Sequence, residues 1–185
     1  MAVIYVLLAV LVTLGFLLRA SFFPKTAVAA VAVAFALWAL WLVPWITQHS
    51  RQELELFFTQ RAYVLNVSLC LCVEAVLLML FCLVRVPVYK AGRWPQLAKQ
   101  VTACYPGLLF DLVLGYVSAQ LLYAYPGIDF AALRWGAAAV MLVGIPLCAF
   151  GLRKLLPDES LRLELLFITQ LFILLLAILM SGNLH

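Results

Sequence analysis

Three polar residues stand inside long apolar runs, and they are where chemistry could lie. Glu74 occurs near the middle of Ala62–Val84, Asp111 near the start of a run that begins at Pro106, and Gln170 well inside the last one. A carboxyl at membrane depth is costly, so each is a candidate for an ion or proton pathway or for a polar contact between helices. Burial favours the neutral carboxyl, which could relay a proton or fix packing with a partner such as Arg85 or Gln120. Neither carboxyl falls within a recognisable ion-transport motif.

Other chemistry is missing from the sequence. The two histidines, His49 and His185, fall outside the apolar runs, which removes bis-histidine haem. There is no H-E-x-x-H, G-x-S-x-G or phosphate-binding glycine loop. Asp111 is the only aspartate within an apolar run, so a paired-aspartate protease is excluded. Five cysteines (Cys70, Cys72, Cys82, Cys104, Cys148) lack C-x-x-C spacing and read as small packing residues. No catalytic residue, metal site or cofactor is expected.

The elements that must position these groups follow from composition. Of 185 residues, 68% are hydrophobic and 11% charged, too few charges to cover a soluble domain. Mean hydropathy of +1.14 agrees. The bilayer is then the solvent, and backbone polar groups in lipid must be satisfied internally, which dictates helices. At about 20 apolar residues per crossing, the spans are 2–18, 26–47, 62–84, 106–125, 131–152 and 163–180. The fold class is all-α, a polytopic transmembrane bundle of six spans. The first run lacks a basic leader and reads as a retained span rather than a signal peptide.

Basic residues set the orientation. Odd-numbered connections hold Arg19, Lys25, Arg85, Lys90, Arg93, Lys99, Arg153, Lys154 and Arg162; even-numbered ones hold Arg51, Arg61 and Arg134. This bias puts odd connections in the cytoplasm and both termini outside, in a bacterial inner membrane. Trp38, Trp41, Trp45, Tyr123, Tyr125 and Trp135 would form the outer aromatic belt. The net charge of +4 is dispersed singly, so no nucleic-acid partner is expected.

Small residues predict packing. Gly107, Asp111, Gly115 and Ser118 recur on one face of span four, and Gly136, Val140, Gly144, Cys148 and Gly151 on one face of span five. Joined by a short turn, spans four and five are expected to form a tight hairpin. Span two is alanine-rich, a close-packing helix that Pro44 should bend or end.

The segment Ser50–Gln60 opens with a capping-box pattern, Ser50-x-x-Glu53. Glu53, Phe57 and Phe58 make it a candidate interfacial or partner-binding helix. Its sequence, SRQELELFFTQ, is echoed by SLRLELLFITQ at Ser160–Gln170, and LVTLGF (Leu11–Phe16) resembles LVLGY (Leu112–Tyr116). Residues 1–85 and 106–185 thus read as two three-helix halves, joined by the loop 86–105. Three spans per half would invert one half relative to the other, a recurring transporter plan.

Three functions fit these features. The first is a non-catalytic subunit of a larger inner-membrane complex, an energy-transducing or transport assembly. It would touch lipid and other integral membrane proteins. The second is a small proton-coupled transporter built from inverted halves, with Glu74, Asp111 and Gln170 lining the path. The third, with least support, is a membrane enzyme acting on lipid.

Overall fold

The structure, a computed structural model, describes residues 2–48, 60–85, 107, 109–124 and 129–182. They form six helices: α1 (Ala2–Ala20), α2 (Lys25–Thr47), α3 (Arg61–Arg85), α4 (Leu109–Ala124), α5 (Phe130–Leu155) and α6 (Glu159–Gly182). The all-helical expectation holds. Helices α2, α3, α5 and α6 are long and apolar enough to cross a membrane, whereas α1 and α4 are shorter apolar helices. At 1.5 Å per residue, the 16 residues of α4 reach about 24 Å, less than the roughly 30 Å of a hydrocarbon core.

Two long pairs make the frame, α2 against α5 and α3 against α6, with α1 between them touching α4, α5 and α6. Each pair forms because a stripe repeating every three or four residues is small or branched. On α2 the stripe is Val28, Ala32, Phe35, Ala36, Ala39 and Val43; on α5 it is Ala138, Ile145 and Ala149. Ala39 and Ala149 are fully buried, so the two backbones run close together there. On α3 the stripe is Val64, Ser68, Leu71, Ala75 and Leu78, facing Leu166, Ile173 and Ala177 of α6. Away from the stripes the side chains are apolar and exposed, such as Leu69 at 66% and Leu147 at 69%, which suits a lipid surround.

The expected α4–α5 hairpin does not form: these helices barely touch, and α5 packs chiefly on α2. The reason is which face of α5 is used. Ala138, Ile145 and Ala149 are buried, while Gly136 and Gly151 have nothing within 4 Å of an added Cβ. Gly144 meets only its own helix's Val140, itself 63% exposed. The small-residue stripe read as a hairpin seam therefore faces outward. Pro44 does not stop α2, which runs on to Thr47. The capping box, Glu53, Phe57 and Phe58, and the third connection lie outside the described residues.

Candidate functional site

The carboxylate of Glu74 sits at the centre of the bundle, 7% exposed. It lies eleven residues before the end of α3, roughly 16 Å along the axis from Arg85. Its Oε2 accepts a hydrogen bond from the backbone N–H of Leu109 at 3.0 Å. Leu109 is the first residue of α4, so Glu74 caps that helix from a neighbouring one. The first amides of a helix have no partner within it, and they carry the positive end of its dipole. A buried carboxylate answers both needs.

Gly107 makes the approach possible. Its φ of +88° is a conformation that side chains rarely adopt. A Cβ there would stand 3.2 Å from the Phe16 ring and 3.6 Å from Glu74 Oε1. Phe16 in turn stacks on Phe110 with centroids 4.2 Å apart and meets Phe35 edge-on at 5.1 Å. Phe16, which lines the same cavity as Glu74, thus belongs to a cluster of three rings from α1, α2 and α4.

Gln170 lies on the other side. It is 2% exposed and lines the same small cavity as Glu74, with Val12, Leu71, Leu109 and Ile173. Its amide nitrogen would come within 2.6 Å of a Cβ on Gly15, so a side chain at residue 15 would oblige the Gln170 amide to shift. The structure therefore brings together two of the three polar residues singled out from sequence, Glu74 and Gln170. Asp111 stands apart in the first turn of α4, half-buried. Gln120 is exposed, and Arg85 meets Glu159 at 3.7 Å, so neither is the partner suggested for Glu74. A Cβ on Gly115 would stand 3.8 Å from Leu42 of α2, and Ser118 is buried.

A larger apolar crevice of about 70 Å³ lies between α1, α3 and α4, walled by Tyr5, Leu8, Val64, Leu112 and Tyr116 among others. Neither Glu74 nor Asp111 lines it.

Sequence reasoning missed a second polar cluster, at the end of the bundle where α1, α3 and α5 finish and α6 begins. Arg153 donates through Nε to the Ser21 carbonyl at 2.6 Å and through Nη2 to the Phe23 carbonyl. Arg162 donates through Nη1 to the same Ser21 carbonyl at 3.2 Å and to Ser21 Oγ at 3.3 Å. Arg85 and Arg162 lie over the Phe22 ring, 4.8 and 5.0 Å from its centroid. Arg19, 1% exposed, lies 5.7 Å from the Phe81 centroid, and Arg85 lies 5.3 Å from it. Each arginine is solitary in sequence and reads only as loop charge; the fold makes them neighbours.

Compared with known proteins, the chain matches no family model, no curated protein and no solved structure.

Proposed function

We propose that the chain is a non-catalytic integral subunit of a larger inner-membrane assembly, energy-transducing or transport, whose six helices all cross the bilayer with both termini outside. The observation that carries this reading is the outward stripe on α5. Gly136, Val140, Gly144 and Cys148 form a smooth strip of one helix with no other helix of the described residues laid over it. Helices associate in lipid through such small-residue strips, since lipid gives apolar side chains no reason to leave it. A helix from another membrane protein would fit there. The capping of α4 gives Glu74 a structural task as well, which fits a subunit without chemistry of its own.

The test is a mild-detergent pull-down of the tagged protein at native expression, repeated with Gly136→Leu/Gly144→Leu. One or two membrane proteins should be recovered in fixed stoichiometry with the wild type and lost with the variant. Recovery of the protein alone would overturn the reading.

A second reading, a proton-coupled transporter of two inverted halves, has its own support. If α1, α2 and α3 correspond to α4, α5 and α6, each helix touches its counterpart, and the cross contacts α1–α5 and α2–α4 correspond too. The match is imperfect, because α1–α6 is a long contact while α3–α4 is slight. A helix start buried beside a carboxylate also resembles the interrupted helices of such carriers. Proton-coupled uptake into proteoliposomes, abolished by Glu74→Gln in a folded protein, would favour this reading over the first.

A further inference from the structure

The arginine cluster holds more positive charge than its structural work requires. Arg153 and Arg162 donate to the carbonyls that end α1, which satisfies orphan acceptors and the negative end of a dipole. Capping of this kind uses donors and cancels only about half a charge per helix end. The guanidinium charges of Arg85, Arg153 and Arg162 converge on Ser21–Phe23, and Arg85 meets the carboxylate of Glu159, 59% exposed, at 3.7 Å. Asp158 and Glu164 are exposed on the surface nearby in sequence. Residues 86–106, which follow Arg85 directly, add Lys90, Arg93 and Lys99 and no acidic residue.

Two donors in the cluster are buried with no acceptor among the described residues, Nη1 of Arg85 and Nε of Arg162. Both belong to guanidinia lying on the same Phe22 ring. Stacking on an aromatic ring fixes the plane of a guanidinium, so its remaining N–H groups point along the ring edge in a set direction. A buried donor without an acceptor is expensive, and two such donors on neighbouring guanidinia suit an anion. Planar forks of N–H donors suit the oxygens of a phosphate, which they hold two at a time.

We propose that Arg85 and Arg162 form a binding site for a phosphate group at the basic end of the bundle. The group is the headgroup phosphate of an anionic phospholipid or a soluble phosphate. Its place at the end of the apolar helices puts it at headgroup level, where anionic lipid is drawn to clustered basic residues. The site does not depend on the α5 strip, so it stands or falls apart from the subunit reading.

The test uses the full chain, purified in a neutral detergent and stripped of lipid, with thermal unfolding followed as ligand is added. The ligands are dioctanoyl-phosphatidylglycerol, with dioctanoyl-phosphatidylcholine as control, and inorganic phosphate, with chloride at equal ionic strength. Phosphatidylglycerol should stabilise the wild type more than phosphatidylcholine does. Stabilisation by inorganic phosphate as well would identify the phosphate group alone as sufficient; none would identify the lipid headgroup. Arg85→Gln and Arg162→Gln should each weaken half-saturation by about tenfold, the loss expected for one charge-assisted contact. Arg85→Lys, which keeps the charge but loses the fork, should fall between. Glu159→Gln removes a competing carboxylate and should tighten binding, a gain that misfolding cannot imitate. Equal effects of ligand and control on the wild type, or unchanged half-saturation in Glu159→Gln and the arginine variants, would overturn the proposal.

Discussion

Replacing Glu74 by leucine removes the acceptor that holds the start of α4. Leucine fills nearly the same volume, so packing against Leu71, Leu78 and Ile173 is kept. The Leu109 N–H, now 3.0 Å from a carboxylate oxygen, is left buried without that partner. An orphaned buried amide costs about 1–3 kcal/mol, and the lost charge–dipole attraction adds about 0.3–1 kcal/mol. Glu74→Gln keeps a carbonyl oxygen in reach of the same amide and should lose only the smaller amount. For a chain of this size, 1 kcal/mol moves the midpoint by about 2–4 °C. Glu74→Leu should therefore unfold roughly 3–16 °C below the wild type, and Glu74→Gln within about 4 °C of it. Thermal unfolding in detergent reads the difference, and amide exchange at residues 109–112 should quicken in the leucine variant alone. Equal stability of all three proteins, with unchanged exchange at the start of α4, would refute the capping argument.

Gly107→Ala places a methyl group at φ +88° and 3.2 Å from the Phe16 ring, and should cost about 1–3 kcal/mol in the same unfolding assay. Gly15→Ala drives a Cβ to within 2.6 Å of the Gln170 amide and should destabilise by about 1–3 kcal/mol. Combined with Gln170→Ala, much of that loss should return, which a double-mutant cycle measures. Gly136→Leu and Gly144→Leu meet no other helix of the described residues and should leave the stability of the isolated protein within about 0.5 kcal/mol of wild type. Asp129→Ala removes the side chain that accepts from Ala131 N at 3.3 Å and should weaken the start of α5 by about 1 kcal/mol, read as faster amide exchange there.

Periodicity made the frame legible and left the pairing hidden. The apolar runs located the six helices of the described residues, because lipid permits little else for such sequences. Which face of α5 would be buried was not readable, since both of its faces carry small residues: Gly136 and Gly144 on one, Ala138 and Ala149 on the other. Only the alanines of α2 decide it, and they lie about a hundred residues away. Glu74 stood out by residue type alone. Its partner did not, because the partner is a backbone amide, and where α4 begins depends on Gly107 turning the chain. Gln170 was visible as a polar residue in apolar sequence, whereas Gly15 gained meaning only from the helix laid against it. The arginines were read singly, as markers of sidedness. Their convergence on Ser21 spans sequence separations of 132 and 141 residues, beyond what local pattern carries.

The pairing of α2 with α5 and of α3 with α6 has a bearing on how the chain is made. Neither α2 nor α3 meets its main partner until the ribosome has produced the second half. During that interval their alanine and polar stripes, Ser68 and Glu74 included, face lipid or a helper protein. Synthesis stopped after residue 85 would leave α1, α2 and α3 with no long seam between them, a product suited to quality-control proteolysis rather than to independent folding. The two halves are thus clasped hands, and cutting the gene between them should yield a stable protein only when both pieces are made together.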